Sequence, residues 1–526
     1  MIRLSPLLLC ALFACEGTIG EQVPDVLVGA DIPEPETIEC EGVGEPMLRR
    51  LTSVQYRNSL VALFDGDESV PEGEVLSDPA RLGFRVDAAE AVIRDLGAQQ
   101  VMNHAEAVAA WAVEQKLGQL SSCQDPSPEC RQAFIGRFGR RAYRRPLDAA
   151  TVRAYEDLFT AEPTFADGVE AVIATMIQSP HFLYRAELGQ RRNGFYHLDD
   201  FELATNLAFT LTNRPPSDAL LDRAERGELQ SPEAIGEVFD ELINTDAARQ
   251  NLGEFAEGWL DVEDLLGRAK DETEVAFGPE LRSDMLEETH LLFIDVFESN
   301  GGLNELLSAD YTFVNGRLRS HYGMGGGGDT FERVELSNGR ARGVLGHGSV
   351  LSRHALAFLS SPVMRGYFVR ERLLCQELPA PPAGIDTNIE PMEARTLTTR
   401  ERYIEHSENP ACIGCHTLMD PIGFAFEHFD AYGRFRDNEH GMPVDATGEL
   451  TLDRNSSEGV PLDGLDSLSN VLAGTEEMEA CFAHYLSYYA YGVEGCGTDF
   501  TPATSLRDHL RGVVLADHFR MRALEE

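Results

Sequence analysis

Cys412-Ile413-Gly414-Cys415-His416 is a CxxCH pentapeptide in a chain whose other periodicities are almost all helical. Two thiols at that spacing can form thioethers to the two vinyl groups of one haem, and the adjacent imidazole then falls where it can bind the iron. This reading gives one covalent haem c, with Cys412 and Cys415 as anchors and His416 as the proximal ligand. Other readings stay open. A thioredoxin-like dithiol asks for a βαβ context that the pattern does not offer. Zinc with His406 as an outlying ligand, or an ordinary disulfide segment, are the remaining two.

The bulk composition sets limits. With 526 residues, 43% of them apolar and 25% charged, the chain is long enough for several domains and reads as folded. Acidic residues number 88 against 44 basic ones, a net charge of −44, which argues against nucleic acid as a partner. Lys116 and Lys270 are the only lysines, so nearly all positive charge is arginine, a bias that coding preference explains as well as anything in the sequence.

Met1–Arg3 and the apolar Leu4–Phe13 read as a targeting segment too short to span a bilayer. Leu12-Phe13-Ala14-Cys15 resembles a bacterial lipobox with Cys15 as the lipid-modified residue, although Phe13 is bulky for its place; a plain secretory signal is the alternative. Glu16–Pro46 reads as an acidic, proline-rich tether, and no later stretch predicts a membrane helix, so membrane association rests on the lipid anchor alone. The expected setting is a periplasmic or outer-membrane, cell-surface lipoprotein, or else a secreted protein. Once Cys10, Cys15, Cys412 and Cys415 are assigned, six of the ten cysteines remain. That even number suits disulfides in an oxidising compartment. Cys123–Cys130 and Cys481–Cys496 are the expected local pairs, and Cys40–Cys375 follows by elimination.

Helical signals run through the chain. Thr52-Ser53-Val54-Gln55 and Asp199-Asp200-Phe201-Glu202 are capping boxes. Val86–Leu117, Phe165–Gln178, Phe201–Thr212 and Leu281–Glu298 carry helical periodicity, with a restart at Pro146-Leu147-Asp148 and a short helix capped by Ser217 and stopped at Gly227. Strand signals are confined to Phe331–Leu336 and Glu449–Leu452, Gly325–Gly328 reads as a mobile loop, and Pro379-Ala380-Pro381-Pro382 marks a break leading into Glu390–Glu405.

An ordered series of motifs then points to a family. These are Leu51-Thr52 with Tyr56-Arg57-Asn58, Phe138 through Leu147, Gln178-Ser179-Pro180-His181-Phe182-Leu183-Tyr184-Arg185, Pro215 through Leu221, Ser361-Pro362-Val363-Met364-Arg365-Gly366, and Cys412 through Arg436. The chain resembles the secreted, multi-domain planctomycete-type cytochrome c proteins, also common in myxobacteria and of unknown function. Thr212 departs from the pattern, where the family favours tryptophan. The resemblance implies a mainly α, multi-domain helical protein with a small cytochrome c-like C-terminal module, and no established reaction. The expected divisions are 1–15 (lipoprotein-type signal), 16–46 (tether), 47–122, 123–195 with the arginine-rich motif, 196–330, 331–440 ending in the haem segment, and 441–526. The carrier module is expected at about Glu390–Glu526.

Around the pentapeptide, Asp420-Pro421 reads as N-cap and first residue of a new helix. Phe424, Phe426 and Phe429 would line a haem crevice or fill an ordinary core. Met442 is the first candidate for a second axial metal ligand beside His416, with Met478, His440 and His484 as alternatives and an open site as the last option. Arg434 and Arg436 are candidates for the haem propionates. Glu427 and Asp430 lie at i, i+3 and read as helix-surface residues rather than an acid/base pair, and His406 as structural or propionate-contacting. Arg137, Arg140, Arg141, Arg144 and Arg145 form the densest basic cluster, expected to make internal ion pairs. Gly346-His347-Gly348-Ser349 is not a nucleophile elbow. The function these residues imply is electron transfer to or from an unknown redox partner protein. A haem-dependent oxidoreductase on an unknown substrate, or a surface polymer- or partner-binding protein with ancillary haem, are the alternatives.

Overall fold

Thr52 opens the first helix as foreseen: its hydroxyl accepts from the Gln55 amide while the Gln55 side chain accepts from the Thr52 amide, and Ser53–Leu63 follows. In this computed structural model the described residues are 44–73, 76–121, 123, 127–273, 275–336, 343–378, 397–407, 413–452, 458–493 and 503–523, with side chains at 404–407 excluded. Helices dominate them, and the strands form antiparallel ribbons of two or three. The protein is therefore mainly α.

Two hydrophobic cores organise the described residues. The first gathers side chains from the helices Ser53–Leu63, Asp95–Leu120, Pro128–Tyr143, Ala149–Ala161 and Phe165–Ile177, and takes Phe209 from beyond them. Val169, Val172, Ile173, Met176 and Ile177, the face marked by the 3.6-residue period, are all completely buried. The second core draws on residues from Leu198 to Phe519 and includes Phe84. The strand Met47–Arg50 pairs with Tyr184–Glu187 at the edge of the first core, and Met521–Arg522 returns to pair with Phe195–His197.

Several boundaries moved for tertiary reasons. The helix expected over Val86–Leu117 runs instead over Asp95–Leu120. Asp87 caps the amides of Ala89 and Glu90 at 2.9 Å and accepts from the Tyr488 hydroxyl, while the Ala88 amide donates to the Gly492 carbonyl at 2.9 Å. Long-range bonds thus hold a stretch whose local pattern is helical. The expected strand at Phe331–Leu336 is Glu332–Glu335, paired with Tyr311–Val314, and that at Glu449–Leu452 is Thr447–Leu450, paired with Val460–Asp463. The glycine run folds back on Gly316, whose amide donates to the Gly328 carbonyl. Thr212 is buried and bonds its hydroxyl to the Ala208 carbonyl at 2.6 Å. Pro379–Pro382 lies outside the described residues, as do Cys15, Cys40, Cys412 and Cys496.

The cysteine pairing needs one correction. Cys123–Cys130 is bonded as expected, but Cys481 bonds Cys375, not Cys496, and Cys375 is therefore not the partner of Cys40. Cys481 lies on the buried side of the helix Glu476–Tyr491, which packs along residues 369–373: Tyr485 donates to the Glu371 carbonyl at 3.1 Å. That packing brings the two Cα atoms to 5.3 Å across a sequence separation of 106. Loop proximity in sequence was the wrong guide because the helix turns Cys481 inward. A non-reducing peptide map is expected to recover Cys375 linked to Cys481, and replacing both by serine to lower urea stability by about 2–5 kcal/mol.

Candidate functional site

The pentapeptide enters the helix Ile413–Gly423, which carries Cys415 and His416 near its start. This helix lies against Pro362–Phe368 at backbone distance. A Cβ on Gly366 would stand 2.0 Å from the Met419 carbonyl oxygen, and one on Gly423 would stand 1.9 Å from that of Pro362. The Ser361–Gly366 motif therefore is a packing element: Ser361 caps, Pro362 begins the helix, and Gly366 admits the neighbouring backbone.

Asp420 does not cap a new helix. The helix continues through it, with Pro421 inside the last turn, and close packing of Met419 and Gly423 holds a turn that lacks one backbone N–H. The Asp420 carboxylate instead turns back one turn and accepts from His416 Nδ1 at 2.9 Å, with its other oxygen at 3.1 Å. The Asp420 side chain is 6% exposed and that of His416 13%. Sequence reasoning missed this partner. The i, i+4 spacing was a usable signal, masked by reading Asp420-Pro421 as a helix start. Cys415 is partly exposed and not disulfide-bonded. In the described chain the preceding element is the helix Thr399–Ser407, not the strand that a thioredoxin-like dithiol would follow.

Below the motif helix lies a buried ionic network. Arg365, 1% exposed, donates to the carbonyls of Leu351, Phe426, Phe429 and Asp430 at 2.9–3.1 Å and pairs with Glu427 at 3.4 Å. Burial pushes its pKa down to about 10. Glu427 also holds Arg436 at 2.6 Å and Ser360 at 2.7 Å. Arg436 reaches Glu439 at 3.0 Å, and Glu439 accepts from the amide and hydroxyl of Thr399 at 2.7 and 2.8 Å. Glu427 is thus a buried counter-ion and not a helix-surface residue, and both Arg436 amino groups are committed to protein carboxylates. Arg434 is 43% exposed and pairs with Asp430 at 2.7 Å.

The remaining expected residues are distributed. Phe426 and Phe429 belong to the second core, and Phe424 is buried under the Arg400 guanidinium at 4.1 Å. Met442 is 56% exposed on the strand Met442–Pro443, while Met478 is buried in the second core. His484 packs on Tyr485, and His440 lines a cavity of about 690 Å³ with Asp271, His321, Tyr432 and Arg434. The side chain of His406 lies outside the described residues. The arginine cluster makes its contacts within the chain, as expected: Arg140 meets Asp222, Arg141 meets Asp65, Arg145 meets Asp199, Arg137 bonds the Leu120 carbonyl, and the buried Arg144 bonds four backbone carbonyls. His347 sits between Thr289 and Thr312 in a buried polar network, with Ser349 bonded to Thr289 and Glu288 to Thr312, an arrangement closed to substrate.

Four family models match the chain, each described as a protein of unknown function: PSD3 (DUF1587) over residues 49–114, PSD5 (DUF1595) over 130–187, PSD4 (DUF1592) over 198–324 and PSCyt3 (DUF1588) over 341–439. The last spans the pentapeptide and the ionic network, and its name points to a cytochrome-like role. No curated protein and no solved structure matches the chain.

Glu427→Gln removes the carboxylate that buried Arg365 shares with Arg436 and is expected to lower the urea midpoint by the equivalent of about 3–5 kcal/mol. Burial works to raise the Glu439 carboxyl, but Arg436, Thr399 and Arg402 outweigh it, so its folded pKa lies below the ordinary 4.5. Its contribution is complete above that value and lost as pH falls through the lower folded one. Glu439→Gln should therefore flatten the fall in melting temperature below pH of about 4.5.

Proposed function

The chain belongs to the planctomycete-type cytochrome c multi-domain family of unknown function, and from that premise we propose that it is an extracytoplasmic haem c-binding protein that transfers electrons to or from a partner protein. The observation that carries the reading is the His416 imidazole fixed through Nδ1 by the buried Asp420, next to the unbridged Cys415. A metal-ligating histidine commonly donates its other ring N–H to a carboxylate, which sets the tautomer and raises ligand basicity. The residues present therefore fit the group: Cys412 and Cys415 would hold it as thioethers and His416 would ligate the iron through Nε2. When bound, haem supplies one-electron iron chemistry.

Asp420 orients the ring and strengthens it as a donor, which would favour the oxidised form of a bound iron. Of the two arginines, Arg434 is the one proposed for a propionate, because Arg436 is held by Glu427 and Glu439. Met442, exposed on its strand, would be a second protein ligand to the iron, whereas Met478 is buried in the second core. Two disulfides favour an oxidising compartment. Among the described residues no helix is long and apolar enough to cross a membrane, so Cys15 is proposed as a lipid anchor. The acidic surface suits a basic redox partner. A second reading, a haem-dependent oxidoreductase, is favoured by the cavity of about 690 Å³, within the size range of small-molecule sites.

Expression with the haem c maturation machinery tests both. A denatured chain carrying the porphyrin mass, and a reduced-minus-oxidised spectrum insensitive to cyanide, is the expected carrier; cyanide binding would favour the oxidoreductase. Asp420→Asn should raise the midpoint potential by about 60 mV, a tenfold change in a one-electron equilibrium. Colourless protein without the mass increment ends the proposal.

A further inference from the structure

The cavity of about 690 Å³ is bordered by an arginine that is bound along one edge and open along another. Asp430 accepts through one oxygen from the amides of Tyr432 and Arg434, both at 2.9 Å. Its other oxygen accepts from Arg434 Nε at 2.8 Å and Nη2 at 2.7 Å. The turn that carries the pair is fixed from below. Arg365 holds the Asp430 carbonyl at 2.9 Å, and Gly433, at φ +76°, sits so near Gly348 that a Cβ would come 2.8 Å from its Cα. The Tyr432 ring lies 5.6 Å from the Arg434 guanidinium. Arg434 is thus oriented before any ligand arrives.

A guanidinium can meet a carboxylate along two edges, Nε with Nη2 or Nη1 with Nη2. Asp430 occupies the first. Among the described residues nothing bonds Nη1, and solvent reaches it. The side chain is 43% exposed and lines the cavity, so the second edge remains for a ligand. Arg436, the other arginine of the lining, has no edge to offer: Nη1 meets Glu439, Nη2 meets Glu427 and Ser360, and Nε bonds the Glu427 carbonyl.

One open cationic edge suits one negative charge. A phosphate monoester carries about −1.5 to −2 at pH 7, and Asp271 on the same lining repels the excess. A carboxylate carries a single charge and matches the fork. The apolar part of the wall is aromatic. Phe358 is 42% exposed in a turn closed by the Leu356 amide donating to the Leu359 carbonyl at 2.9 Å, and Phe435 lines the same space, stacked on His428. A flat ring packs well against such faces, and the volume admits one.

We infer that this cavity binds an aromatic monocarboxylate, its carboxylate on the Nη1–Nη2 edge of Arg434 and its ring against Phe358 and Phe435. The cavity takes no lining from the motif helix Ile413–Gly423, so the site asks nothing of a haem. A haem propionate offers the same carboxylate and would compete for the same edge; the lining favours the free acid. Binding does not rest on the oxidoreductase reading, but under that reading the acid names its substrate class.

Isothermal titration of the full, haem-matured chain tests the site, with intact mass fixing the haem content. 2-Naphthoate should bind one per chain, and 2-naphthamide, which lacks the charge, and acetate, which lacks the ring, should each bind at least about tenfold more weakly. Arg434→Lys keeps the charge but loses the fork and should weaken naphthoate by about tenfold or more. Phe358→Ala, in an exposed turn, should weaken it by about fivefold, and decides the matter with the ligand series should Arg434→Lys not fold. Absent or unsaturable naphthoate binding, or equal binding of the amide, overturns the inference. Binding only to chain made without haem maturation assigns the edge to a propionate and overturns it as well.

Discussion

Arg365 is the constraint on which the motif region depends. One guanidinium, shut away from water, bonds four carbonyls and a carboxylate drawn from residues 351 and 426–430. All of those groups but Leu351 belong to the segment that follows the motif helix, and Gly366, the next residue, presses against that helix. The same short segment therefore fixes the helix bearing Cys415 and His416 and the chain that leaves it. Removing the charge would open the turn, and removing the glycine would force the two backbones apart. Site and scaffold share a single joint.

The same device recurs elsewhere. Arg144 bonds the carbonyls of His181 and Phe182 in the helix Pro180–Leu183 and of Tyr184 just after it, and Arg282 bonds those of Leu266, Arg268 and Phe277. A planar guanidinium with five donors can satisfy several carbonyls that face one another, which a lysine with its point charge does less well. This gives the arginine bias of the chain a structural use beyond coding preference. Lys270 marks the contrast: it reaches the carbonyls of Ala355, Leu356 and Ala431, and burial pushes its pKa down to about 7. Among the described residues ten arginines are buried against eight carboxylates, so the interior does not share the acidic excess of the whole sequence.

The cavity of about 690 Å³ lies where the stretches matched by PSD4 and PSCyt3 meet, with Asp271 and His321 from the first and Tyr432 and Arg434 from the second. His321 bonds the Tyr432 carbonyl at 2.8 Å and Gly348 bonds the Tyr322 hydroxyl at 2.8 Å, so the seam is stitched by polar contacts on either side of the opening. Whatever occupies that space would touch both stretches, which makes their joint presence in one chain physically meaningful.

Local chemistry was legible from the residues alone. The capping boxes at Thr52 and Asp199, the apolar face of Phe165–Ile177 and the Cys123–Cys130 pair depend on neighbours within a few turns, and sequence spacing encodes such contacts directly. The helical class and the CxxCH pentapeptide belong with them. Tertiary structure alone decided the partner of Cys481, the late start of the Asp95–Leu120 helix, the burial of Glu427 and the opposition of Arg49 and Arg185. Each depends on segments tens to hundreds of residues apart meeting at one place, where burial changes the energy of a charge or a thiol by more than any local preference. The Asp420 contact to His416 lies between the two cases. Its spacing was visible, but only the packing that carries the helix through Pro421 turns the carboxylate onto the ring.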